Sequence, residues 1–187
     1  MVLDIALPFY GDVGYLKQAV ASVQAQTDIN WRLIVVDDGY PDASLPSWFA
    51  SLQDSRIVYQ RNEFNLGANG NYRHCIELIQ SEYCVIMGAD DVLLPNFVEH
   101  VNDVIRREGT FDVMQPKIEV IDEFGNIVYP IEDSLKSFLR AIGVLFKLDS
   151  GQKAATLLLL GNWMYFPSIV WRTELLHRFS FRKDFNV

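Results

Sequence analysis

Along the first 108 residues, short apolar runs alternate with segments whose apolar residues recur every three or four positions. Residues 2–7 are such a run, closed by Pro8, and read as a buried strand. Asp12 stands where a helix N-cap belongs, ahead of Leu16, Ala19, Val20 and Val23 at helical spacing. Residues 32–36 predict a second strand, which runs into Asp37-Asp38-Gly39. Ser44 or Asp42 caps a second helix, with Pro46 in its first turn and Leu45, Trp48, Phe49 and Leu52 as its inner stripe. Residues 56–60 predict a third strand, and Asn65-Leu66-Gly67 turns into a helix with Tyr72, Cys75, Ile76 and Ile79 on one face. Residues 83–87 predict a fourth strand, closed by Gly88-Ala89-Asp90-Asp91. Pro95 opens a fourth helix carrying Phe97, Val101, Val104 and Ile105. This alternation predicts an α/β fold, a mostly parallel sheet with helices on both faces.

The rhythm changes after residue 110. Residues 112–116 predict a strand, and residues 117–121 and 127–129 flank a turn at 122–126 and predict a hairpin. Residues 133–147 and 151–161 predict helices, and residues 167–171 a further strand. With no repeat, low-complexity tract or linker, 187 residues suit a single domain, 1–187, with a regular half (1–110) and a less regular one (111–187).

Composition narrows the function. Half the residues are hydrophobic and 21% are charged, a globular balance. The net charge of -8 argues against a nucleic-acid partner, which needs clustered Lys and Arg. Arg106-Arg107 is only a pair near a helix end, where cations offset the helix dipole. Cys75 and Cys84 lack metal-ligand spacing and read as buried thiols in a reducing compartment. The N-terminus has no basic region of the signal-peptide kind, and the apolar stretch 154–160 is too short to span a bilayer. A cytoplasmic protein, with at most peripheral membrane contact, is the expectation.

Ligands of an open parallel sheet bind beyond the carboxyl ends of its strands. Three such ends are chemically marked here: Pro8-Phe9-Tyr10-Gly11, Asp37-Asp38-Gly39 and Asp90-Asp91. Carboxylates leaving two strands on one edge repel each other unless a cation stands between them. Mg²⁺ or Mn²⁺ with oxygen ligands is the natural partner and leaves coordination positions for a phosphate. Either aspartate pair alone also reads as a solvated turn or a helix cap. No P-loop, dinucleotide fingerprint or nucleophile elbow is present, and His74, His100 and His177 are scattered and read as surface or core residues.

Assembled, these pieces resemble family 2 glycosyltransferases of the GT-A fold. The resemblance covers residues 2–109, and 165–180 more loosely. It rests on an opening strand ending in Pro-x-Tyr, a helix ending in Ser-x-x-x-Gln-Thr (Ser22 to Thr27), and Val-Val-Asp-Asp-Gly. Asn65-Leu66-Gly67, Ser81-Glu82-Tyr83 and a strand running into Asp-Asp complete it. The resemblance implies that Pro8 and Tyr10 lie against a nucleoside, with Tyr10 near the base. It places Asp38 on the base or ribose, Asp90 near ribose and metal, and Asp91 as the metal ligand. Residues 1–110 would then bind a nucleotide-sugar donor, a UDP-sugar by preference, and 111–187 would begin the acceptor side. Gly88 departs from the pattern, since it stands where the first Asp of an Asp-x-Asp motif is usual.

An inverting transfer needs a general base beside the acceptor hydroxyl. Past Trp171 the candidates are Glu174, which reads as part of a first helical turn, and Asp184, in a loop. The resemblance implies that the base lies beyond Val187, with Asp184 the weaker candidate, so that this stretch binds donor but transfers slowly. The acceptor class, whether saccharide, lipid-linked or protein, is left open. A non-catalytic nucleotide-sugar-binding module and a nucleotidyltransferase are the alternatives. The latter needs a basic loop after the first strand, where this chain has Phe9-Tyr10-Gly11-Asp12. A receiver domain fits less well, because its acidic pair follows the first strand rather than the second.

Overall fold

The computed structural model describes residues 1–128, 151–160, 164–179 and 181–182. The chain divides into two compact units, residues 1–114 with 167–187, and residues 115–166. In the first unit, β1 (Leu3–Phe9), α1 (Val13–Gln24), β2 (Trp31–Asp37), α2 (Leu45–Ser51), β3 (Ile57–Arg61), α3 (Gly67–Leu78), β4 (Tyr83–Ile86) and α4 (Phe97–Glu108) follow the expected alternation. The short β5 (Val113–Met114) follows α4. In the second unit, β6 (Val120–Ile121) and β7 (Ile127–Val128) form the expected antiparallel hairpin, and α5 spans Gly151–Leu160. The helix expected over 133–147 lies outside the described residues. The chain returns to the first unit with β8 (Val170–Arg172) and α6 (Thr173–Arg178).

The main sheet has the order β3-β2-β1-β4-β8-β5. β1 runs parallel to β2 from Leu3↔Trp31 to Phe9↔Asp37, and parallel to β4 from Leu3↔Tyr83 to Ala6↔Ile86. β3 is parallel to β2, whereas β8 is antiparallel to both β4 and β5. The sheet is therefore mostly parallel, as expected, with one reversed strand. Leu3, Ile5, Leu7 and Phe9 pack in a core with Leu33, Val35, Val85 and Met87, under Leu16, Val20, Leu45, Phe49, Val98 and Val101 of the helices. The alternate residues Ala6, Ile34, Val36 and Ile86 are buried as well. A strand buried on both faces reads as a continuous apolar run, as these do.

Details differ from the sequence expectation, among them the strand expected over 167–171, which is Val170–Arg172 preceded by a 3-10 turn at Phe166–Ser168. β1 continues through Pro8 to Phe9. Its odd residues bond toward β2, as Leu3 N–H to the Asn30 carbonyl and Asp38 N–H to the Phe9 carbonyl show; Met87 N–H bonds the even-numbered Ala6. Pro8 therefore turns its donorless nitrogen toward β4, whose pairing has already ended at Ala6↔Ile86, and no ladder bond is lost. In α4 the buried residues are Val98, Val101 and Asn102, and Val104 lies outside the core. Asn102 can face inward because its amide donates to Asp28 at 2.8 Å. The strand expected over 112–116 shrinks to two residues.

The opposite end of the sheet is held by a buried carboxylate. Asp4 accepts from Arg32 Nε at 3.0 Å and Nη2 at 2.6 Å, from Ser81 Oγ, and from the backbone N–H groups of Gln80 and Ser81. It thus ties β1 to β2 and to the turn that starts β4. Burial pushes its pKa up, but the Arg32 and backbone bonds outweigh that and hold it below the usual value. Its stabilising effect is therefore full above the ordinary carboxylate range and fades as pH falls through the lowered value. Asp4→Asn should cost about 3 kcal/mol at pH 7 by removing the counter-charge of Arg32, which keeps its bonds to the Gln80 side chain and the Leu78 carbonyl. Urea unfolding at pH 7 and pH 3 checks this, since the gap to wild type should narrow in acid.

Candidate functional site

β1 lies between β2 and β4, and all three run in the same direction. Their carboxyl ends therefore leave one edge of the sheet side by side. The β2 and β4 ends stand two strand spacings apart, about 10 Å. Pro8, partly buried, and Tyr10, 57% exposed, mark the middle. Tyr10 meets Tyr40 edge-on at 5.4 Å, and Tyr40 meets Phe9 at 5.2 Å, so Tyr10 is the outer rung of an aromatic ladder rooted in the core. An exposed ring braced in this way offers a flat apolar face at little entropic cost.

The two aspartates after β2 diverge. Asp37 is fully buried; its Oδ1 accepts from Tyr40 N–H at 2.7 Å and its Oδ2 from the Tyr59 hydroxyl at 2.6 Å. Burial and this bond push the Tyr59 phenol well above its ordinary pKa, so it remains a donor. Asp37 is thereby committed to the turn. Asp38, 1% exposed, places Oδ1 on Asn62 Nδ2 at 2.7 Å and on Leu66 N–H at 2.8 Å. It holds the loop between β3 and α3 against the end of β2. Gly39 allows this closeness. It takes φ +73°, and a Cβ there would sit 3.3 Å from backbone atoms of Phe64 and Asn65.

Asp90 and Asp91 leave the turn after β4. Asp91 Oδ2 accepts Gly88 N–H at 3.1 Å. A Cβ built on Gly88 would lie 2.5 Å from Asp91 Oδ2 and 2.7 Å from Asp90 Oδ1, so both oxygens converge on the space that Gly88 leaves empty. Burial, and then the neighbouring Asp90 charge, push the Asp91 pKa up, against the Gly88 N–H bond. Two converging hard oxygens with unrelieved repulsion fit a divalent cation. Among the described residues no cluster of three or more His, Cys, Asp or Glu side chains gathers, so further ligands would come from phosphate and water. Tyr72 on α3 also senses both carboxylates, after burial and Cys75, and its pKa is raised. Asp184, the weak candidate base, lies outside the described residues, and Glu174 is exposed in the first turn of α6.

Several residues that shape the site have no role assigned by the sequence reading. Ser22 Oγ accepts Leu93 N–H, Gln26 bonds the Leu94 carbonyl and Val98 N–H, and Thr27 bonds Pro95 and Glu99. The Ser-x-x-x-Gln-Thr motif therefore anchors the loop that follows Asp91. Tyr40, Asn62, Asn71 and His74 brace the β2 end. Asn71 was legible in principle, because it stands one helical turn before Cys75 on the buried stripe, where a polar residue needs partners.

A mostly parallel sheet with its marked turns on one edge is the GT-A arrangement. S. aureus TarS (residues 1–349, in complex with UDP-GlcNAc) superposes with a TM-score of 0.69 at 17% identity, over 95% of this chain and 47% of that one. A mannosyltransferase of Pyrobaculum calidifontis, in complex with GDP-Man and Mn²⁺, superposes with a TM-score of 0.63 at 12% identity, over 95% and 46%. The chain belongs to Glycosyl transferase family 2, whose model matches residues 4–171. An uncharacterized glycosyltransferase of Rickettsia conorii is 32% identical over 67% of this chain and 21% of its own length. An Escherichia coli enzyme, UDP-Glc:alpha-D-GlcNAc-diphosphoundecaprenol beta-1,3-glucosyltransferase WfgD, is 26% identical over 76% and 57%. The chain thus spans between a fifth and somewhat over half the length of these two relatives. Among the described residues, no helix is long and apolar enough to cross a membrane.

The raised Asp91 pKa has a measurable consequence. An ionised carboxylate disfavoured in the native state costs stability at neutral pH, and the cost vanishes as pH falls and the group protonates. In metal-free protein, Asp90→Asn should lower the Asp91 titration midpoint and raise the melting temperature at pH 7, with the gain disappearing in acid. Carboxyl NMR titration and thermal melts read both. An unchanged Asp91 midpoint would mean that the two carboxylates do not sense each other.

Proposed function

We propose that this chain is the donor-binding part of a glycosyltransferase that takes its sugar from a UDP-sugar with the help of Mg²⁺ or Mn²⁺, and inverts the anomeric centre in the intact protein. The observation that carries the proposal is the convergence of the Asp90 and Asp91 oxygens over Gly88, one strand away from Tyr10 and two from Asp38. Tyr10 stacks on the base and Pro8 lines its edge. Asp38, whose Oδ1 is already spent on Asn62 and Leu66, turns Oδ2 to the base or ribose. Asp91 would hold the cation, with Asp90 beside it and near the ribose. When bound, the cation would supply Lewis-acid stabilisation of charge on the departing diphosphate. The chain's own part is to hold the nucleotide across about 10 Å of sheet edge, so that the sugar projects toward the acceptor.

The nucleotide of the E. coli relative and of the TarS complex favours uridine as the nucleoside. The GDP-Man and Mn²⁺ of the Pyrobaculum enzyme favour a cation in this position on the fold.

Calorimetry with UDP tests the cation. Binding should strengthen with Mn²⁺ over EDTA in wild type, and Asp91→Ala should abolish that difference. Equal affinity in EDTA and Mn²⁺ for the wild type would refute the metal role. A separate measurement addresses Asp38. Losing a hydrogen bond to a charged group costs roughly 1.5–3 kcal/mol, so Asp38→Ala should weaken uridine and UDP alike by about ten- to a hundredfold. Unchanged uridine binding would confine Asp38 to bracing the loop.

A further inference from the structure

Behind Asp38 lies a chain of hydrogen bonds whose donors and acceptors have a single consistent assignment. The Val36 carbonyl can only accept, so the group that meets it at 3.0 Å is the Asn71 amide nitrogen. Asn71 Oδ1 therefore accepts, at 3.2 Å, from Asn62 Nδ2. The same Asn62 nitrogen donates to Asp38 Oδ1 at 2.7 Å. Both hydrogens of that amide are then used, and its oxygen faces His74 Nδ1 at 2.7 Å. His74 Nδ1 must carry a proton, in the neutral ring as in the charged one. Asn62 has three of its bonds defined by three different neighbours, and its amide has no freedom to flip.

We propose that His74, acting through Asn62, is a positioning residue that aims the Asp38 carboxylate at the donor's nucleoside. The inference rests on the reading of Asp38 as a nucleoside contact. Asp38 sits at the end of β2, where its main chain is fixed by the bond from its N–H to the Phe9 carbonyl. Rotation of its side chain is not fixed by that bond. Two donors on Oδ1 set it: Leu66 N–H, from a loop, and Asn62 Nδ2, from the residue just past β3. Asn62 is 8% exposed and its own orientation depends on α3, which supplies Asn71 and His74 one helical turn apart. With Nδ1–H bonded to Asn62, the imidazole ties the amide oxygen to the helix. Without it, the amide oxygen loses its donor, the amide is held from its nitrogen side alone by Asn71 and Asp38, and the second donor on Asp38 is aimed less tightly. The arrangement resembles in logic the outer partners that orient ligating histidines at metal sites, where the indirect residue controls affinity. It also gives a use to a histidine that spacing alone leaves unassigned.

The test compares variants that differ in where they put an N–H. His74→Asn keeps a side-chain amide donor near the Nδ1 position, His74→Gln moves it outward, and His74→Ala removes it. Each is measured in the full-length protein for uridine, guanosine and thymidine, and for their diphosphates with Mn²⁺, beside Asp38→Ala and the Asp38→Ala/His74→Ala double variant. Thermal midpoints without ligand are recorded in parallel. For the nucleoside that the wild type binds, His74→Ala and His74→Gln should weaken binding by about five- to tenfold, the worth of one ordinary hydrogen bond. His74→Asn should restore it to near wild type. In the Asp38→Ala background, His74→Ala should have no further effect on nucleoside affinity, because the relay ends on the missing carboxylate. A purely structural His74 would lower the melting temperature in both backgrounds and leave nucleoside affinity unchanged, which would overturn the relay. Should His74→Ala fail to fold, the Asn and Gln variants decide the matter, and equal affinities for those two would overturn it. If Asp38→Ala weakens the nucleoside and the His74 variants do not, the relay alone falls. If Asp38→Ala leaves nucleoside binding intact, or the wild type binds none of the three, the reading of the site falls and the relay with it.

Discussion

Parallel pairing of β1 with β2 on one side and β4 on the other is the constraint on which the rest of this structure depends. These strands are buried on both faces, so their interiors admit almost nothing polar. Polar chemistry is forced to the ends, and parallel direction gathers the carboxyl ends on one edge. The turn after β1 carries the exposed ring, the turn after β2 the paired carboxylates, and the turn after β4 the unpaired ones. Removing the parallel registers would scatter these groups, whatever their identity.

Among the described residues three aspartates are deeply buried, and each is satisfied in a different way. Asp4 takes five donors at the amino end and binds the strands together. Asp37 closes its own turn through Tyr40 and Tyr59, and Asp38 restrains the β3–α3 loop through Asn62 and Leu66. Buried carboxylates are tolerable only when so bonded. Asp90 and Asp91 contrast with them. They share one N–H bond, from Gly88 to Asp91, and repel each other across an empty space. Stability is given up there, a cost that the proposed cation would relieve.

Much of this was legible in the chain. The capping role of Asp12, whose Oδ1 accepts Gly14 and Tyr15 N–H, follows from residue type and spacing. So do the apolar stripes of α1 and α2 and the aspartates at the ends of β2 and β4. Pro8 closes the apolar run 2–7 in the sequence; only the staggered end of β4 shows why the strand can pass through a residue that donates nothing to a ladder. Val98 and Asn102 were missed in α4 because a polar inner residue breaks the periodic stripe, and its partner Asp28 is 74 residues away. Likewise, a glycine in place of an expected aspartate at position 88 reads as a loss, whereas in space it is the gap into which two carboxylates turn.

What the sequence by itself determined is local: which segments of residues 1–108 are strands or helices, and which residue types stand near their ends. Those follow from backbone preferences and from hydrophobic periods of two and 3.6, all of which act over a few residues. Only the tertiary structure decided that β1 is central, that β8 inserts reversed between β4 and β5, and that Asp37 braces its turn while Asp38 braces the next loop. It also decided that His74 and Asn62 meet. The reason is that a carboxylate or an amide spends its lone pairs and hydrogens on whatever donors and acceptors packing brings within about 3 Å, and those come from segments remote in the chain.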